Sequence, residues 1–146
     1  MRRYGTQNPN ITYTRRPGAY AIILGEQGML LTYQGAPHFE YQLPGGGIDP
    51  GEMPVQALHR EVMEETGWKI EPIRRLTVYK RFIYMPEYEI HAEKICHIYL
   101  ARAVCAKGRA LEEGHQAIWF PTTDAAGMLD SPPDAIAVSE FLSGQL

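Results

Sequence analysis

The amino-acid sequence predicts one α/β domain, and three observations carry that expectation. Its 146 residues suit a single domain with a real hydrophobic core. Apolar residues make up 45% and charged residues 21%, close to the globular average. Several strand-like runs surround one strongly punctuated helix, and no internal repeat, low-complexity tract or linker interrupts them.

In chain order, residues 1–16 read as a polar N-terminal arm, flexible or extended, ahead of a domain over 17–146. The apolar run from Ala19 to Leu24 predicts a buried strand. The turn Gly25-Glu26-Gln27-Gly28 joins it to a hairpin partner, Met29 to Tyr33. Gly35 to Pro37 breaks the chain, and a short strand around Phe39–Leu43 leads into a glycine-rich loop. The strong helix starts at Pro54, where a missing N–H costs little, and stops at Gly67, a residue suited to a C-terminal cap. Val55, Leu58 and Val62 are spaced to form its apolar stripe. Trp68–Met85 and Ile90–Ala106 then read as long strands around a turn near Pro86-Glu87. A polar loop from Lys107 to Gly114 precedes a short strand, Ala117–Phe120, and a short helix, Thr122–Leu129. Pro132 and Pro133 open a last helix running to about Leu142.

Charge and composition exclude some classes. A net charge of −3 lacks the basic excess of a sequence-independent nucleic-acid binder. No run approaches the roughly 18 apolar residues of a membrane span, and Met1 to Arg16 hold no apolar signal-peptide core. The expected location is therefore cytoplasmic, with no membrane partner. Cys96 and Cys105 fall along one predicted strand. At about 3.3 Å per residue they stand too far apart for a disulfide, so both read as thiols.

The segment from Leu43 to Trp68, LPGGGIDPGEMPVQALHREVMEETGW, carries the chemistry. Gly45, Gly46 and Gly47 let backbone approach a ligand closely. At about 100° per residue, Glu61, Glu64 and Glu65 share a sector of roughly 100° beside the apolar stripe. Like charges so close are unfavourable on an isolated helix unless cations compensate. Hard oxygen ligands grouped this way suit Mg²⁺ or Mn²⁺, which bind few carboxylates and keep places for water and substrate phosphate. Arg60 can orient a carboxylate by charge-assisted hydrogen bonding. Alone, the acidic run reads as a solvated helix face. The glycine loop before it and Glu52 at the helix entrance shift the balance toward a site.

This segment resembles the signature of the Nudix hydrolase superfamily, of the MutT-like kind, at Gly46, Glu52, Arg60, Glu61, Val62, Glu64, Glu65 and Gly67. Every fixed position matches, and Trp68 stands where a smaller aliphatic residue is usual. The resemblance implies an α/β/α sandwich around a mixed β-sheet. It also implies a Mg²⁺- or Mn²⁺-dependent hydrolase that cuts the pyrophosphate linkage of a nucleoside diphosphate joined to another group. A (d)NTP or a dinucleoside polyphosphate is the expected substrate. Carried over by position, Glu61, Glu64, Glu65 and the Gly45 carbonyl are implied metal ligands, Arg60 their orienting partner, and Glu52 a supporting carboxylate. Gly46 and Gly47 are expected to lie against substrate. The alternative is a binding or regulatory module that keeps the fold and has lost catalysis, in which box glutamates should be broken; none is.

Outside the box, a further glutamate often completes such a site. Glu112 and Glu113 are the candidates, with Glu113 favoured and His115 as an assisting base or phosphate donor; an ordinary polar loop is the competing reading. Arg15 and Arg16 are placed to reach phosphates. Tyr79, Tyr84 and Tyr88, with Lys80 and Arg81, are candidates to stack on or clamp a base, and Tyr84 lies about where a diadenosine-polyphosphate branch carries a tyrosine. Trp119 and Phe120 read as core, and His91 and His97, which have no metal-type spacing with either cysteine, as structural or surface. The expected partner is a small nucleotide and not a nucleic acid; the sequence leaves open whether a second copy of the chain makes a homodimer.

Overall fold

The computed structural model describes residues 1–146. In chain order it forms β1 (Arg2–Tyr4), β2 (Thr14–Gly25), β3 (Gly28–Gln34), β4 (Glu40–Gln42), β5 (Gly45–Gly47), α1 (Pro54–Thr66), β6 (Trp68–Met85), β7 (Ile90–Ala106), β8 (His115–Phe120), α2 (Ala125–Met128) and α3 (Pro132–Leu142). One mixed sheet holds all eight strands, in the order β1-β6-β7-β2-β3-β4, with β5 added to β2 and β8 to β3. β1 runs parallel to β6 and β2 parallel to β7; the other pairs are antiparallel.

Alternation along the strands sends side chains to two faces, and each face has its own helix layer. On one face Ala19, Ala21, Ile23, Leu30 and Tyr99 pack against Leu58 and Val62 of α1. On the other, Ile22, Leu31, Cys96 and Ile98 pack against Ala125, Leu129 and Val138 from the α2–α3 region. The result is an α/β/α sandwich. No helix is long and apolar enough to cross a membrane.

α1 has the expected ends. Pro54 opens it, and the Gln56 side-chain oxygen accepts the Met53 N–H at 2.8 Å. Gly67 closes it at φ 73, where its N–H donates to the Met63 carbonyl. A Cβ at Gly67 would stand 2.3 Å from the Gly108 carbonyl oxygen, so both its conformation and its close approach demand glycine.

Two details differ from the sequence expectation. Val55 is 39% exposed, so the buried stripe consists of Ala57, Leu58 and Val62 and continues into Glu65 and Thr66. Val55 sits in the first turn, outside the sector that meets the sheet. The polar arm is extended, and both its ends enter the sheet: Arg2 to Tyr4 pair with Tyr79 to Arg81, and Thr14 to Arg16 begin the long pairing of β2 with β7. Tyr4 supplies the apolar anchor, packing edge-on against Tyr79 with ring centroids 5.3 Å apart. Trp68, in place of an aliphatic residue, finds an edge-on partner in Trp119, 5.3 Å away. Cys96 and Cys105 are free thiols on β7.

Candidate active site

The glycines form β5, with Gly45 opposite Tyr20 and Gly46 opposite Ala19 on β2. This puts a side-chain-free strand against the inner side of α1. The Gly45 N–H donates to Glu65 Oε1 at 2.8 Å. A Cβ on Gly46 would fall 2.5 Å from the Glu61 carboxyl, so glycine there is the condition for Glu61 to lie where it does.

Arg60 ties the acids together. It donates to both Glu52 carboxylate oxygens, at 2.9 and 2.7 Å, to Glu61 Oε1 at 2.9 Å and to the Gly47 carbonyl at 3.0 Å. Asp49 and Glu64 lie 3.4 and 3.5 Å from the same guanidinium. Glu52 also accepts the Asp49 N–H at 2.8 Å. The Arg60 hydrogen bonds, helped by that N–H, hold the Glu52 carboxyl down at about 2. Glu61 moves the other way, because burial outweighs its bond from Arg60. Glu65 is pushed well above the usual carboxylate range by burial, which the Gly45 N–H only partly offsets.

The loop before β8 completes the cluster. The N–H groups of Leu111 and Glu112 both donate to the Glu64 backbone carbonyl, at 2.7 and 2.8 Å, one of the carbonyls a helix end leaves open. That seam swings Glu112 over α1. Ligand atoms of Glu61, Glu64 and Glu112 come within 4.8 Å of one another, as do those of Glu65, Glu112 and His115. His115 Nδ1 is 3.5 Å from Glu65 and Nε2 is 3.6 Å from Glu112; Nδ1 is buried without a hydrogen-bond partner. Carboxylates gathered on hard oxygen donors, two of them disfavoured as anions by burial, with Arg60 the only cation among them, fit a divalent Mg²⁺-like ion.

The expected residues divide accordingly. Arg60, Glu61, Glu64, Glu65, Gly45, Gly46 and Gly47 come together. Glu113 does not: the structure brings Glu112 to the cluster in its place, because the seam with Glu64 engages the residues just before it. Glu61, Glu65, Glu112 and His115 line a cavity of about 640 Å³. Arg16 and Tyr84 also line it, Arg16 lying over the Tyr88 ring at 4.5 Å and Tyr84 tilted against His91 at 4.9 Å. Tyr79 donates to Asp134 at 2.6 Å and is too buried to stack. Lys80 is absent from the cavity wall and pairs with Glu93 at 3.1 Å. Lys94 and Asp134, which also line the cavity, were missed in the sequence. A signal existed for Lys94: it shares an alternation with buried Cys96 and Ile98, so its charge points to a core-facing side.

An acid-rich helix edge thus lies beneath a glycine strand inside an α/β/α sandwich, an arrangement of hard oxygen donors suited to a divalent ion. The chain belongs to the Nudix family: the family's NUDIX domain model matches residues 14–141. It is 31% identical over 126 residues to a CMP-5'-(N-acetyl-N-hydroxy-3-aminopropyl)phosphonate hydrolase of Streptomyces rubellomurinus, covering 82% of this chain and 58% of that protein. It is 38% identical over 61 residues to an RNA pyrophosphohydrolase of Pectobacterium atrosepticum, covering 42% of this chain and 34% of that one. The chain thus matches about a third to just over half of the length of these relatives. A NUDIX hydrolase structure from Nitrosomonas europaea superposes with a TM-score of 0.74 at 22% identity, covering 90% of this chain and 91% of that chain, which supports the shared fold.

Proposed function

We propose that the chain is a Mg²⁺- or Mn²⁺-dependent hydrolase that cuts the pyrophosphate linkage of a nucleoside diphosphate joined to another group, with (d)NTPs and dinucleoside polyphosphates as first candidates. The observation that carries this reading is the meeting of Glu61, Glu64, Glu65 and Glu112 beside the glycine strand, with Glu61, Glu65 and Glu112 on the cavity wall. The names of the relatives, a CMP-linked phosphonate hydrolase and an RNA pyrophosphohydrolase, support nucleotide chemistry. Two free cysteines suit a reducing compartment.

Glu61, Glu64 and Glu65 would hold the ions, with the Gly45 carbonyl as a backbone ligand and Glu112 beside them. Bound there, divalent ions neutralise phosphate charge and make water more acidic. The chain's own residues do the rest. Arg60 keeps Glu61 and Glu52 in fixed orientations through its planar fork. Gly47 leaves open space for a phosphate oxygen against the backbone, whereas the space at Gly46 is filled by the Glu61 carboxyl. In the reaction a water oxygen bonds to phosphorus, the bridging oxygen departs with the other phosphate, and the water's proton passes to a carboxylate. Glu112, part exposed on the cavity wall with His115 3.6 Å away, is the acceptor.

The test is a nucleotide panel assayed with and without Mg²⁺ or Mn²⁺, with products resolved to identify the bond broken. Glu61→Gln should lower turnover by more than about 100-fold with the fold intact, and Glu112→Gln should cost more than Glu113→Gln. Near-normal turnover in Glu61→Gln would remove the assignment, and a larger loss in Glu113→Gln would move the proton acceptor.

A further inference from the structure

Outside the Glu61–Glu64–Glu65–Glu112 cluster, three cations stand in a row across the sheet. Lys94 on β7 is the register partner of Arg16 on β2 and of Arg81 on β6. Register partners on adjacent strands project to the same face, about 4.8 Å from strand to strand. All three residues line the cavity. Like charges set directly opposite one another are unfavourable in a sheet. No carboxylate oxygen pairs with any of the three within 4.0 Å; buried Asp134 acts on Lys94 and Arg81 through space, without a direct ion pair. Their direct contacts are neutral, with Arg16 over the Tyr88 ring, Lys94 5.3 Å from the centre of the Tyr20 ring, and Arg81 donating to Ser131 Oγ at 3.1 Å. The other acids in the same wall have their own partners: Asp134 accepts from Tyr79, Asp130 from the Tyr41 N–H, Glu40 from Gln42, and Glu87 lies 4.0 Å from His38.

We propose that the Arg16–Lys94–Arg81 row is a second anion site, which selects substrates whose group beyond the diphosphate carries its own negative charge, as a phosphate ester or a carboxylate. This rests on the proposed function and deepens it. The cavity wall thus holds two separate groups, the Glu61–Glu65–Glu112 cluster and this row of cations. A diphosphate belongs with ions at the acid cluster, and a second anion on the same molecule meets preset donors at the row. Arginine forks suit the paired oxygens of either anion, and the ammonium between them adds charge without demanding geometry.

Three matched substrates test it: a nucleoside diphosphate hexose, the corresponding hexuronate, and a counterpart bearing one extra phosphate monoester. The wild-type protein should show higher kcat/KM for a charged member than for the neutral one, mainly through KM. Which charged member leads tells phosphate from carboxylate. In Lys94→Met and in Arg16→Gln that preference should fall by about tenfold or more. Lys80→Met, which removes an adjacent charge from the opposite face, should leave the preference in place. A preference unchanged in both cavity variants overturns the site. A second readout needs no turnover: metal-free inorganic tripolyphosphate should raise the melting temperature of the wild-type protein and lose that effect in Lys94→Met. If no substrate is hydrolysed but this shift behaves as stated, the anion site stands and the hydrolase reading fails. A shift equal in both proteins overturns the site.

Discussion

Glu65 shows at the scale of one residue how a site is held against the grain of the fold. Its carboxyl is 5% exposed, and burial raises its pKa well above 4.5. Between the unfolded and folded values the folded chain holds a proton that the unfolded chain has released, so Glu65 makes stability fall as pH rises through that window. Glu52 has the opposite sign. Held down at about 2 by Arg60 first, it contributes stability that is present above about 4.5 and lost as pH falls toward 2. Glu65→Gln keeps an oxygen for the Gly45 N–H while removing the buried charge. Without divalent ions this variant should melt about 2–4 °C higher at pH 7, and its advantage should shrink toward pH 5. A melting curve superimposed on that of the wild type at both pH values would show that Glu65 bears no such burden.

At the scale of elements, the decisive joint is between α1 and the loop before β8. The last turn of a helix leaves carbonyls without intrahelical donors. Here Thr66 Oγ1 donates to the Val62 carbonyl at 2.6 Å, Gly67 N–H to Met63, and Leu111 and Glu112 N–H to Glu64. The Gly67 carbonyl in turn accepts from Lys107 N–H at 2.7 Å. Gly67 therefore ends the helix and clears space for the loop that carries Glu112. Gly67→Ala should cost about 1–3 kcal/mol, read from the urea midpoint, since it strains φ 73 and meets the Gly108 carbonyl. It should also lower turnover beyond that, because the loop must retreat. Wild-type turnover in a destabilised Gly67→Ala would detach Glu112 from the joint.

For the whole molecule, the cavity exists because α3 is pinned to the sheet. Tyr79 on β6 donates to buried Asp134 on α3 at 2.6 Å, and Arg81 reaches Ser131 at its entrance. Burial raises the Asp134 carboxyl although the Tyr79 hydroxyl works against it. Tyr79→Phe would leave Asp134 buried without that donor, a loss of about 1–3 kcal/mol in denaturant unfolding. Because α3 walls the cavity, KM should rise while kcat changes less. An unshifted midpoint would mean that water replaces the hydroxyl freely.

Local chemistry made much of this legible in one dimension. Pro54 and Gly67 bracket α1, β6 and β7 run over the spans read from alternation, and the 23 residues from Gly46 to Trp68 bring Arg60, Glu61, Glu64 and Glu65 into one sector at helical spacing. Such features depend on residues a few positions apart, whose geometry the backbone period sets. Three things depended on the tertiary structure. Glu112 joins the acids because two distant N–H groups find the Glu64 carbonyl, a pairing that chain distance does not encode. Val55 is part exposed because the packing of α1 on the sheet covers the helix only from Ala57 onward, which the helix period alone does not tell. Arg16, Arg81 and Lys94 form a row only through strand register, which brings three distant segments side by side and decides which charges face one another.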